Sequence, residues 1–156
     1  MTLITSLRQD GGTGTVHVED VYATSIDDLW DAITRPERLA RWLAKVDGDL
    51  RVGGEFSATF TSSWDGRGRV DECDAPNRLV VTTWEEGREP NEIVITLTAE
   101  GAATRLVIEE LGFSLEEYAD HGAGWQVHAE DLHAYLDGRP VSDWSARWRE
   151  LRPDFD

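Results

Sequence analysis

Two side chains carry most of the chemistry this sequence can offer, His128 and Glu110. His128 lies in GAGWQVHAEDLHAYLD, residues 122–137. Helical spacing there puts Trp125, His128, Ala129, Leu132, Tyr135 and Leu136 on one face. Gln126, Glu130, Ala134 and Asp137 take the other side, flanked by Asp131 and His133. Histidine titrates near neutrality, so on an apolar face it can donate to a ligand carbonyl or act as acid or base. The plainer alternative is a histidine paired with a buried carboxylate or standing at a cavity mouth. Glu110 ends the last strand-like segment in phase with Leu106 and Ile108, which points it toward the same interior. A buried carboxylate needs a partner or a raised pKa. Facing one ligand together, the two would make an acid–base site; otherwise Glu110 is a solvated strand end. Glu85 is a second carboxylate candidate, in poorer phase.

Other chemistries find little support. His121, His128 and His133 are the clustered histidines, but the last two diverge by roughly 140° on a helix. There is no HExxH arrangement and no cysteine pair, so no metal is expected. Cys73 is a lone thiol on a strand and is read as a buried bystander, because a reactive thiolate needs a cationic setting. No G-x-S-x-G elbow, Walker loop or G-x-G-x-x-G turn occurs. Gly11, Gly12 and Gly14 precede a strand, the wrong order for a phosphate cradle. No cofactor is expected, and a binding role is favoured over catalysis.

These candidates need a late helix and a sheet for it to cover. Residues 15–23 (TVHVEDVYA) alternate as a first strand, after a segment 1–14 read as a flexible leader or edge strand. Ser25 suits a helix N-cap, with Ile26, Leu29, Trp30 and Ile33 at helical spacing behind it. Pro36 suits the first turn of a second helix lined by Leu39, Trp42 and Leu43, which ends before the Asp47-Gly48 dipeptide. Short strands follow: GEFSATFTS, then residues 67–73, 78–85, 92–99 and 104–111. The Asp65-Gly66 dipeptide reads as a tight turn. After Gly138, Ser142 can cap a further helix carrying Trp144, Trp148 and Leu151 on one side. The plan is α+β: a strongly bent antiparallel sheet gripping one long helix.

Composition narrows the partners. The 156 residues suit one domain, read as 15–138 with a helical extension at 139–156 that packs on it or on a partner. Carboxylates outnumber Lys and Arg 31 to 15, for a formal net charge of −16. That argues against nucleic acid or an anionic membrane surface as a partner. No apolar run is long enough for membrane insertion, and no secretory signal opens the chain, so a cytoplasmic location is expected. The single cysteine fits a reducing compartment.

The stretch RPERLARWLAKVDGDLRVGGEF (35–56) resembles bacterial proteins related to the activator of the Hsp-90 ATPase, within the START-like or SRPBCC superfamily. The matching pieces continue with Trp30, Gly53-Gly54, Leu79 and Trp84 in RLVVTTWE, Thr104-Arg105-Leu106, and Gly124-Trp125. The tail DGRPVSDWSARW is similar to extensions of some bacterial members, and the resemblance spans about 15–150. It implies a helix-grip fold with a cavity between sheet and long helix, of a kind that holds lipids, polyketides, hormones and other apolar molecules. Some branches cyclise or dehydrate polyketides, and the eukaryotic namesake assists a chaperone. Members often carry an aliphatic residue where this chain has His128.

A cavity of that kind would be lined by Trp125, His128 and Leu132 from the helix and by Phe56, Phe60, Trp84 and Glu110 from the sheet, with Trp42 closing one end. The alternative is that these aromatics simply fill a core. The leading expectation is binding of a small, largely apolar ligand, in a stress or regulatory setting. A chaperone regulator or homodimer using the Trp144–Trp148 helix is the second. A cyclase-like enzyme using His128 and Glu110 is the third.

Overall fold

The computed structural model describes residues 3–156; Met1 and Thr2, at the start of the segment read as leader or edge strand, lie outside the described residues. β1 (Ile4–Asp10) pairs antiparallel with β2 (Thr13–Tyr22). α1 (Ile26–Thr34) follows, with the Ser25 hydroxyl accepting from the Asp28 backbone N–H at 3.2 Å. Two acidic residues in the first turn favour the helix dipole, and Leu29, Ala32 and Ile33 dock the helix on the sheet side. α2 (Pro36–Trp42) begins on proline, whose missing N–H would have had no helical partner there.

A strand that the sequence reading passed over comes next. β3 (Ala44–Gly48) pairs with β4 (Glu55–Phe60), Ala44 opposite Phe60 and Gly48 opposite Phe56. The Asp65-Gly66 dipeptide is not a turn: Asp65 faces Thr59 and Gly66 faces Ala58 at the start of β5 (Asp65–Asp74). The reversal lies at 61–64, closed by Phe60 N–H to Trp64 O at 2.8 Å and by Ser63 with φ +78°. β6 (Arg78–Trp84), β7 (Asn91–Glu100) and β8 (Ala103–Phe113) complete eight antiparallel strands in the order β1-β2-β8-β7-β6-β5-β4-β3.

Register shifts at Gly14/Thr15 and Val70/Glu72 interrupt the ladder, and such bulges bend a sheet. The second has a visible effect. Inward alternation stops at Val70, and Cys73 ends exposed rather than buried. On the concave side, Val16, Val18, Ile95, Leu106 and Ile108 meet α1 and the long helix α3 (Tyr118–Leu136). This is the helix-grip plan, with the two short helices after β2 and α4 (Trp144–Leu151) beyond α3.

α3 is buried on more than one side. Trp125, Ala129 and Leu132 join the main core, while Ala123 and Val127 form a second cluster with Leu151, Trp144 and Trp148. Ala134, assigned to the outer side by spacing, is buried, as is Asp131. The reason is α4, which covers the face a lone surface helix would leave wet. Asp131 Oδ1 accepts the Ser142 N–H at 2.9 Å, holding the connection down. The cap of α4 is Asp143, accepting from the Ala146 N–H at 3.1 Å, and not Ser142.

Candidate functional site

A cavity of about 840 Å3 lies alongside the first half of α3. Its wall is assembled from the 61–64 turn, the loop joining β6 to β7, the link from β8 into α3, α3 itself and α4. A smaller cavity of about 180 Å3 lies between the sheet and α1–α2 and is almost wholly apolar. Phe60, Thr83, Ile93 and Trp125 border both, so they form the partition between two chambers.

The sequence candidates divide between these places. Phe60, Trp84, Glu110, Trp125 and His128 line the larger chamber, as does Glu85. Phe56 lines the smaller one. Its ring lies over Gly68 on the neighbouring strand, where any side chain would collide with it. Trp42 and Leu132 border neither chamber. Trp42 is 1% exposed and donates its indole N–H to Ala32 O at 3.0 Å, tying α2 to α1. Leu132 is fully buried in the main core.

Glu110 follows Leu106 and Ile108 onto the inner face of β8. One carboxyl oxygen accepts the Trp125 indole N–H at 2.8 Å and the other the Asn91 amide at 3.1 Å. Burial pushes its pKa up to about 7, against the pull of these two donors. His128 is pushed down to about 3 by burial, opposed only by a hydrogen bond with the Trp42 backbone. Its Nδ1 lies 3.4 Å from the Thr61 hydroxyl. Glu110 and His128 thus share a chamber but bond to different partners, and Trp125 stands beside each of them. No direct acid–base pair forms. At neutral pH His128 is a neutral imidazole, and Glu110 exchanges readily between acid and carboxylate.

Rings surround these groups. Trp125 and Phe60 stand edge-on to His128 at 5.4 and 5.9 Å, and Trp144 lies 5.6 Å away. Trp148 stacks beyond Trp144 at 6.5 Å. Gly124 makes room for this approach, since a Cβ there would sit 3.3 Å from the Trp144 ring. The Trp144 indole N–H is buried without a hydrogen-bond partner among the described residues. The spacing of Trp144 and Trp148 marked them as docking residues, but only the fold shows that they dock beside this chamber. Asn91 and Trp64 also belong to its wall and carried no signal in sequence, and His121, weighed there only as a metal ligand, joins them.

The remaining histidines go elsewhere. His121 stacks on Phe113 at 4.2 Å, and burial lowers its pKa. His133 stacks on Tyr22 and places Nε2 2.7 Å from the buried Asp20 carboxylate. Among the described residues no three potential metal ligands converge, and no helix is long and apolar enough to cross a membrane.

Comparison with known proteins gives this geometry a context. CalU16 from Micromonospora echinospora is 26% identical over 99% of this chain and 94% of its own, with a TM-score of 0.81. DynU16, a protein in the dynemicin biosynthetic locus, is 27% identical over 83% of this chain, with a TM-score of 0.75; the match takes in 50% of DynU16. Protein MLL2253 from Mesorhizobium loti is 26% identical over 79% of this chain and 96% of its own, with a TM-score of 0.72. No curated protein matches the chain at a significant level. The family model described as activator of Hsp90 ATPase homolog 1-like protein matches residues 23–137, most of the helix-grip, and the chain belongs to that family.

Proposed function

We propose that this protein binds a small, largely apolar molecule, of lipid, polyketide or similar kind, in the chamber between the sheet and α3. One observation carries the reading. A space of about 840 Å3 is walled by five of the chain's seven tryptophans, with Glu110, His128 and the unpartnered Trp144 N–H as polar handles. Apolar walls with a few placed polar groups are what ligand sites of this size use. The likeness to DynU16, a protein in a biosynthetic locus, agrees with a role near small-molecule metabolism. The Trp144–Trp148 helix, the anchor a chaperone or dimer contact would have used, packs against α3 of its own chain.

Native mass spectrometry of freshly purified protein tests the reading, followed by tryptophan-quenching titrations with polycyclic aromatics and fatty acids. One retained or added ligand per chain is expected. A bare mass together with no quenching across the panel would count against it. Gly124→Leu, which drives a side chain toward Trp144 at the chamber wall, should weaken any such ligand about tenfold, a cost of about 1.4 kcal/mol.

A further inference from the structure

The charges around the larger chamber are one-sided. Among the described residues, Glu85, Glu89, Glu110, Glu117 and Asp120 border it against a single arginine, Arg88. That arginine is already committed: it grips both oxygens of Glu117, at 2.6 and 2.5 Å, with Glu85 3.7 Å away. Asp120 is held by Arg152 at 2.6 Å. Glu110 is the buried carboxylate of the set, and its partners are the neutral Trp125 indole and the neutral Asn91 amide. A carboxylate at a buried wall without a cation either takes up a proton or is stabilised by a bound cation, so the site favours a ligand that brings one. The same wall carries five indoles, the aromatic side chains that attract a cation most strongly.

Building on the ligand-binding reading above, we propose that the molecule held in this chamber is a cation: an apolar, ring-bearing body with a protonated amine. The ammonium sits against Glu110 and the surrounding indoles, and the apolar body lies among the remaining rings. An anionic ligand would instead meet five carboxylates and no free arginine on the wall. The proton linkage has a definite sign. Burial favours the neutral acid at Glu110, and a bound ammonium favours the carboxylate, so binding expels a proton and affinity climbs as pH rises through neutrality. A neutral ligand accepting a hydrogen bond from the protonated acid would weaken over the same range. His128 stays uncharged throughout, and burial also disfavours charge on His121. Of the remaining wall carboxylates, Glu117 and Asp120 are neutralised by Arg88 and Arg152, which leaves Glu85 and Glu89 to add to the negative field.

Three anthracenes with one ring system and different charge test this on the intact protein. They are 9-(aminomethyl)anthracene, 9-anthracenemethanol and 9-anthracenecarboxylate, titrated by fluorescence anisotropy at pH 6, 7 and 8. The amine should bind at least tenfold tighter than the alcohol at pH 8, with the carboxylate weakest, and its lead should grow with pH. Glu110→Gln should bring the amine down to the affinity of the alcohol, and the paired change Glu85→Gln with Glu89→Gln should narrow the gap a few-fold. Equal binding of amine and alcohol overturns the proposal and leaves the ligand-binding reading standing. So does an amine preference untouched by Glu110→Gln, since that would reflect the charge of the whole surface. If none of the three binds, this proposal falls, while the ligand-binding reading is decided by the native mass and the fatty-acid titrations. Should Glu110→Gln not fold, the unaltered protein still decides: amine affinity that is flat or falls from pH 6 to 8 overturns the proposal.

Discussion

Glu110 and His128 are displaced by burial in opposite directions, and their effects on stability should nearly cancel over part of the pH range. The Glu110 pKa is raised in the folded state, so its contribution is greatest below the ordinary carboxylate value and is lost as pH climbs to about 7. The His128 pKa is depressed, so its contribution is present above the ordinary histidine value and is lost as pH falls toward about 3. Between those ordinary values each group changes stability by about 1.4 kcal/mol per pH unit, with opposite sign. Single variants should therefore uncover the other partner. Relative to the unaltered protein, Glu110→Gln should lose stability on acidification from pH 6.5 to 4.5, and His128→Leu should gain it, each by roughly 2–3 kcal/mol. Urea midpoints across that range measure both, and parallel curves for all three proteins would show that neither group is buried as described. Trp125→Phe removes the indole donor to Glu110 and should cost about 1–3 kcal/mol, more at pH 8 than at pH 5, because the donor favours the charged form. At this scale the sequence was half legible. The period of β8 pointed Glu110 inward, but nothing in the chain's order said that Asn91 and Trp125 would meet it. Those contacts join three separate elements.

Among the elements, α4 carries more than its length suggests. It turns an exposed side of α3 into a buried one through Leu151, Trp144 and Trp148. Charged bonds reinforce it, Arg147 to Glu130 at 2.8 Å and Arg152 to Asp120 at 2.6 Å. Leu151→Ala should cost about 2–4 kcal/mol, since Leu151 is buried in a cluster with Ala123 and Val127 of α3. Thermal unfolding is the direct measurement, and a change within experimental error would mean that α4 does not pack as described. Ala123, Val127 and Ala134 look unremarkable in sequence, because small residues on a polar face are compatible with either solvent or a close helix neighbour. The same ambiguity hid β3. Only Ala44 and Val46 of its five residues point inward, and the Asp47-Gly48 dipeptide reads as a terminator. The pairing with β4 makes it a strand. At the next reversal, Ser63 takes the left-handed conformation that Asp65-Gly66 advertised two residues later. Ser63→Gly should stabilise the protein by up to about 1 kcal/mol by relieving that backbone, again read from urea midpoints.

At the scale of the whole molecule the net charge of −16 should show itself as self-repulsion. Raising sodium chloride from 20 to 500 mM should raise the melting temperature by several degrees. Most of the ion pairs are exposed and lose little to screening, while repulsion among the surplus carboxylates is relieved. A falling melting temperature would show that the pairs outweigh the surplus. Apart from β3 and the reversal at 61–64, the order of elements, the antiparallel sheet and the long helix α3 could be read from the chain, because hydrophobic period, caps and turn residues are local properties of the backbone. So could the family, from short motifs in fixed order. The position of the chamber could not. It is assembled from distant segments: four residues on four elements partition the space, and the tail brings Trp144 and Trp148 into its wall. Trp42 and Trp125 have the same side chain and similar helical settings, yet one is consumed in joining two helices and the other holds Glu110. Residue type pointed both toward the interior; only the packing of distant segments determined which of them would face the chamber.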